Sequence, residues 1–353
     1  MSGMASTLAP VPLVPGNRGI CAVPEHGIRL QMGARDPNER LVRPMSMQRR
    51  TRDLLGEHSE YCARRLFASV IHGVRQSGEA EVCLRDRLDA LELVYPGCVF
   101  TGWSAAGLHG IQFAEGHPPE IWLPSQRRRR DVIIRTGRLP ADDIEDVLGR
   151  HATSAVRTAF DLGRHEYRDQ AIAAIEQCVR PNEFGIAATT VEEIEAYIRD
   201  HPGLHNTAAV RRELTEVVPG AQSPWETFTR LVVHRAGFVM FETQCPIPGT
   251  ALHTDLGSAG HRIAIEYEGD YHRGSDQHKR DIARWNRITG DGWTLILVSS
   301  TMLTNPPARA TFVARIEREL RVRGWAGPAP STPELHLYSE TWTNTHEVVA
   351  VSA

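Results

Sequence analysis

The run Ile263-Ala264-Ile265-Glu266-Tyr267-Glu268 constrains this chain more than any other stretch, because it is apolar enough for an interior strand and yet ends in two acids. Side chains alternate along a strand, so Ile263, Ile265 and Tyr267 share one face while Ala264, Glu266 and Glu268 share the other. Upstream, His253-Thr254-Asp255-Leu256 reads as a neighbouring strand, with Ser258-Ala259-Gly260-His261 as the turn between them. Such a hairpin brings Asp255 beside Glu266 and Glu268. Clustered carboxylates repel one another and resist ionisation unless a cation compensates. The expectation is a divalent metal held by Asp255, Glu266 and Glu268.

The surrounding pattern predicts helix 224–236, strands 239–243, 251–256 and 262–268, helix 276–289, strand 294–298 and helix 308–323. That order implies an α/β domain, a mixed sheet flanked by helices, over 222–323. A chain of 353 residues has room for a second domain. The periodicity places a smaller α+β domain at 48–185 and a helical connector at 186–221. Residues 1–47 read as a poorly ordered extension and 324–353 as a tail beginning with a Gly-Pro-Ala-Pro linker.

In the first half, 48–77 reads as helical and basic, and helices of this kind can enter a groove of DNA or simply present a solvated face. A second helix is expected over 81–94. Segments 119–124 and 131–135 read as two strands of a hairpin whose tip carries Arg127, Arg128, Arg129 and Arg130. Four positive charges there can grip phosphates or blunt an edge strand. Thr190-Val191-Glu192-Glu193 is a capping box opening a helix of the connector.

Net charge of −3 gives no global attraction to nucleic acid, so any such surface has to be local. The six cysteines contain no C-x-x-C pair, which argues against a zinc module and for reduced thiols in the cytoplasm. Neither a secretion signal nor a membrane-length apolar run is present in the sequence.

Two resemblances carry further expectations. The segments Thr101–Ile111 and Thr153–Leu162, each a strand entering a small-residue helix, resemble a portion of abortive-infection type IV antitoxin proteins. Ser223-Pro224-Trp225-Glu226, Asp255, Ile263–His272, Gln277 with Asp281, Arg284 and Asn286, and Gly292-Trp293 together resemble the PD-(D/E)XK nuclease superfamily. More narrowly, they resemble actinobacterial domains related to very-short-patch-repair endonucleases. That resemblance implies a restriction-endonuclease-like fold and a nuclease that uses Mg²⁺ or Mn²⁺.

It also implies roles. Asp255 and Glu266 are the metal ligands, with the Tyr267 carbonyl as a further donor. Glu268 stands where the wider superfamily has Lys, so it serves as a second ligand or as the general base. His272 is a proton acceptor or donor. Glu226 is placed beside the metal, although Ser223 as N-cap and Glu226 at N3 also make a plain capping box. Gln277, Lys279, Asp281 and Arg284 orient the site or bind phosphate; otherwise they form a hydrated helix face.

The leading functional expectation is a metal-dependent endonuclease acting on DNA. The alternatives are a non-catalytic antitoxin-like or DNA-binding regulator and an RNA-cleaving toxin or defence effector. A partner protein or a second copy of the chain can dock through the N-terminal half.

Overall fold

Residues 48–77, 81–269 and 275–338 are described by the computed structural model, with side chains in the last segment described from Ile282 onward. The architecture is mixed α/β, with three sheets flanked by helices. Among the described residues no helix is long and apolar enough to cross a membrane, and the five cysteines are free thiols.

The expected helical stretch at 48–77 is a correction. It holds β1 (Gln48–Arg50), two seven-residue helices α1 (Thr51–Glu57) and α2 (Glu60–Leu66), then β2 (Phe67–Ile71) and β3 (Val74–Ser77). The β-branched residues Val70, Ile71 and Val74 favour the pleated form. Gly73, at φ 85°, supplies the left-handed turn that returns the chain. The sheet order is β1-β3-β2, all antiparallel. Only His58 and Ser59 separate α1 from α2, and the Ser59 hydroxyl accepts the Cys62 N–H. This is a pair of short helices beside a β-hairpin.

After α3 (Leu84–Val94), a five-stranded sheet forms in the order β6-β5-β4-β8-β7. Its strands are β4 (Val99–Phe100), β5 (Glu120–Trp122), β6 (Ile133–Arg135), β7 (Ile144–Val147) and β8 (Arg150–Thr153). The arginine hairpin is a second correction, because β5 and β6 pair in parallel, Glu120 opposite Ile133 and Trp122 opposite Arg135. The loop between them is folded back: Asp131 accepts the His72 N–H and Arg129 donates to His72 O. The chain therefore returns and runs in the same direction as β5.

Helices α4 (Gly102–Leu108), α5 (Ala155–His165) and α6 (Asp169–Val179) follow β4 and β8 as expected, and α7 (Val191–Asp200) opens with the Thr190–Glu193 capping box. After α8 (Thr207–Leu214), the C-terminal half runs α9 (Pro224–Arg235), β9 (Glu242–Pro246), β10 (His253–Ser258), β11 (Ile263–Tyr267), α10 (Ser275–Gly290), β12 (Thr294–Val298), α11 (Ser300–Thr304) and α12 (Pro306–Val322). Its sheet order is β12-β11-β10-β9; β11 and β12 are parallel and the other pairs antiparallel.

The first strand begins at Glu242 rather than Val239, because Phe238 and Phe241 turn inward as buried plugs after α9 while Val239 faces solvent. Gly257 on β10 has no room for a side chain: a Cβ there would meet Thr254 Cγ2 at 2.6 Å and Cys245 Cβ at 2.8 Å.

One hydrophobic core runs from Ile71 to Leu320 and joins both halves. Within it, Glu176 on α6 accepts from Thr227 Oγ1 (2.6 Å) and from Arg230, both on α9. Asp169 at the start of α6 holds Arg235 through two hydrogen bonds of 2.9 and 3.1 Å. The segment after Gly324 straps across this junction, with Ser331 on Arg235 and Ala236, and His336 N–H on Asp169.

Candidate functional site

The β10–β11 hairpin sets the site. Leu256 pairs with Ile265 and Gly257 with Ala264, so Asp255 and Glu266 are the next residues outward on adjacent strands. Asp255 N–H points at Glu266 Oε1 (3.4 Å), and Asp255 Oδ2 accepts the Tyr267 N–H (2.8 Å). Ile263 and Ile265 lie in the main core; Ala264, on the other face, packs with Ile288 and Trp293 against α10. Glu266 follows that second face and meets Arg284 of α10, whose Nη1 donates to Oε2 (2.6 Å) and Nη2 to Oε1 (3.1 Å). Arg284 also donates to the His253 carbonyl, which fastens α10 to the strand that carries Asp255.

Glu226 comes from the first turn of α9. The helix start is capped as the sequence implies: Ser223 Oγ accepts the Glu226 N–H (3.2 Å) and donates to Glu226 Oε1 (3.1 Å). Glu226 Oε2 accepts from Gln222 N–H (2.7 Å) and Gln244 Nε2 (3.1 Å). The same carboxylate faces Asp255. Burial and then the Asp255 charge raise the pKa of Glu226, and burial and then Asp255 raise that of Glu266. Capping and proximity to the strand acids are thus both present in one side chain. Trp225 stacks on Tyr267, with ring centroids 5.4 Å apart and planes parallel within 1°, and this fixes α9 over the end of β11.

Two residues at the site, Gln244 and Arg180, carry no signal in the acidic motif. Gln244, on β9, has φ 49°, a conformation that non-glycine residues rarely adopt. Its amide bridges Glu226 and Gln222, accepting from Gln222 Nε2 at 2.9 Å. Backbone strain of this kind persists where surrounding contacts over-determine it, and it gathers at functional sites. Arg180, just beyond α6, donates to Gln222 O (2.6 Å), and its charge partly offsets the upward shift of Glu226. The N-terminal half therefore contributes to the site. Counting from Asp255 across a hairpin would have found Gln244, but nothing local marks Arg180.

The remaining expected residues divide as follows. Glu268 lies one residue past β11, half buried, with its N–H on Val298 O (2.8 Å). His272 is outside the described residues, as are the side chains of Gln277, Lys279 and Asp281 on α10. Arg127, Arg128 and Arg130 are exposed and far along the chain in the β5–β6 loop, where the Arg127 guanidinium lies 5.9 Å from the Tyr95 ring. Arg129 is half buried, its guanidinium bonded to His72 O and paired with Asp131 at 3.4 Å.

Whether these residues suit a divalent cation can be judged from the donor set. Asp255, Glu266 and Glu226 offer hard carboxylate oxygens of the type Mg²⁺ and Mn²⁺ take, and Glu266 is already paired with the Arg284 guanidinium. Among the described residues no three His, Cys, Asp or Glu side chains stand together as a ready-made ligating group. Of the three expected ligands, Asp255 and Glu266 are brought to adjacent strands, and Arg284 donates to both oxygens of Glu266.

No family model matches the chain, and no solved structure matches it. Two proteins of Mycobacterium tuberculosis are similar to it, "Uncharacterized protein MT2308" of strain CDC 1551 / Oshkosh and "Uncharacterized protein Rv2248" of strain ATCC 25618 / H37Rv. Each is 28% identical over 263 residues, which is 73% of this chain and 94% of the relative.

Proposed function

We propose that the chain is a PD-(D/E)XK-like, metal-dependent endonuclease that hydrolyses phosphodiester bonds in DNA. The observation that carries this reading is the placement of Asp255 and Glu266 on adjacent strands, with Glu226 of α9 near enough to feel the Asp255 charge. Asp255 and Glu266 would hold Mg²⁺ or Mn²⁺, which when bound supplies charge stabilisation at the phosphate and the leaving oxygen. Arg284 orients Glu266 through its two hydrogen bonds and keeps positive charge beside the strand end. Glu226, with its pKa raised toward neutrality, can hold a proton at the carboxyl that faces Asp255 and release it within the working pH range. The Trp225–Tyr267 stack holds α9 and β11 in register while this happens. Glu268, in the position the wider superfamily gives to Lys, offers a further carboxylate.

The surface this reading offers to a duplex is the exposed basic face of the short helix α2. Helix α2 leaves Tyr61, Arg64 and Arg65 exposed, and a helix so placed can enter a major groove. Purified protein is expected to nick or cut DNA with Mg²⁺ or Mn²⁺, and the Asp255→Ala variant is expected not to. Full activity in that variant would remove the assignment.

One observation favours a second reading, a DNA-binding regulator whose nuclease site is inert. Arg284 already satisfies Glu266, and Glu268 replaces the superfamily's Lys. Metal-independent, sequence-selective DNA binding without cleavage would support it. Assays on RNA run in parallel separate both from an RNA-cleaving effector.

A further inference from the structure

A cleft of about 310 Å³ opens in the N-terminal half, well apart in the fold from the strand acids, between α4, β5, β6 and the α5–α6 turn. Its volume is at the lower end of small-molecule sites. The floor is Trp103, stacked on buried His117 with ring centroids 4.0 Å apart. Glu120, 3% exposed, lies against the start of α4, where only Gly102 leaves it room: a Cβ there would meet Glu120 Oε1 at 2.3 Å. Arg135 donates to Glu120 Oε2 from Nε (2.9 Å) and Nη2 (2.8 Å), so this acid is neutralised.

Glu166 is the anomaly. It sits at the C-cap of α5, where the helix dipole disfavours a negative charge. Its Oε1 accepts the Trp103 indole N–H at 2.7 Å. Burial, with Glu120 nearby, pushes its carboxyl up to about 7, although Arg135 acts in the opposite sense. The far wall is Tyr338 of the C-terminal strap, tied to α6 by its N–H on Gln170 Oε1 at 3.0 Å.

The lining sets two acids, Glu120 and Glu166, against the single arginine Arg135, and desolvation keeps its two imidazoles, His117 and His165, neutral, so the cleft lacks one positive charge whenever Glu166 is ionised. An anionic ligand would meet Glu166 and Glu120 in a low-dielectric setting. We propose that this cleft is a binding site for a small protonated amine, its ammonium on Glu166 and its apolar part against the exposed rings of Tyr167 and Tyr338. The attraction combines a charge-assisted hydrogen bond with the ring faces. The site is independent of the nuclease reading.

The test is calorimetric titration of the full chain with benzylammonium and with phenylacetate, probes of similar size and opposite charge. Benzylammonium is expected to bind saturably at one site and phenylacetate not to bind. Glu166→Gln should weaken benzylammonium at least about tenfold, as expected when a charged partner is lost. Tyr338→Ala, on the partly exposed strap, should weaken it several-fold and serves as the deciding variant if Glu166→Gln fails to fold. Glu266→Gln, expected to be inactive in cleavage, should bind benzylammonium like the wild type. Absence of saturable binding, equal binding of phenylacetate, or unchanged affinity in both cleft variants would overturn the proposal.

Discussion

The two halves of the molecule each bury a group of acids near arginines, and they balance the charge differently. In the N-terminal half, Asp143 and Asp161 stand against Arg157 and Arg164, with ion pairs of 2.6, 2.9 and 2.7 Å, and the Tyr197 hydroxyl donates to Asp143 at 2.8 Å. Two acids meet two arginines, and the guanidinium of Arg157 is the more firmly protonated for it. In the C-terminal half, Glu226, Asp255 and Glu266 share Arg284 and the more remote Arg180, and both glutamates are held back from ionising. Folding explains the first group, in which each charge is matched. The second carries more negative charge than stability alone would select, which is the usual mark of a site shaped by function.

That contrast can be broken by mutation. The largest expected effect lies in the balanced group: Arg157→Ala strands the buried Asp143, leaves Asp161 to Arg164 alone, and should cost about 3–5 kcal/mol in urea unfolding. Next comes Asp255→Ala, which should lower metal-dependent cleavage by about 10²–10³-fold, the range for losing one electrostatic stabiliser. Its folded content should stay intact by circular dichroism, unlike that of the Arg157 variant.

A third substitution probes the frame rather than the charges. Gly257→Ala forces a Cβ into Thr254 and Cys245, and overpacking of this kind should cost about 1–3 kcal/mol by thermal unfolding. Cleavage by the surviving folded fraction should fall as well, because β10 carries Asp255.

The smallest effect has a sign that separates the two groups. A Glu whose pKa is raised on folding contributes stability that is fully present below its unfolded value and is lost as pH rises through the folded one. Wild-type stability should therefore carry a decline from about pH 4.5, the ordinary value for Glu226, up through neutrality. Glu226→Gln should flatten that part of the urea-midpoint profile and raise the midpoint above neutral pH. A steeper decline in the variant would contradict the charge excess at the site.

How much of this was legible in the sequence follows from how local each signal was. Alternation along Ile263–Tyr267 fixed which side Glu266 faces, and the turn length brought Asp255 opposite it, so the acidic pair could be read from spacing. Ser223-Pro224-Trp225-Glu226 likewise announced a helix start. The resemblance segment Thr153–Leu162 acquires a physical reason only in three dimensions. Ser154 caps α5, Thr158 Oγ1 donates to Thr153 O (3.1 Å), and Arg157 reaches Asp143 on a separate element.

Direction of pairing was not legible for β5 and β6. The turn at 124–130 carries ordinary hairpin composition, and what reverses it is a set of contacts from Arg129 and Asp131 to His72, more than fifty residues earlier. Arg180 was hidden for the same reason: it reaches the site through the α6–α9 junction, which no spacing rule spans.

The central claim, that Asp255 and Glu266 form a cation site, is tested most directly by titrating Mn²⁺ calorimetrically into the full chain above neutral pH, with Asp255→Asn and Glu266→Gln alongside. Saturable binding by the wild type that is lost in both variants is the result predicted. Absence of binding in the wild type, or equal binding in all three proteins, would contradict it.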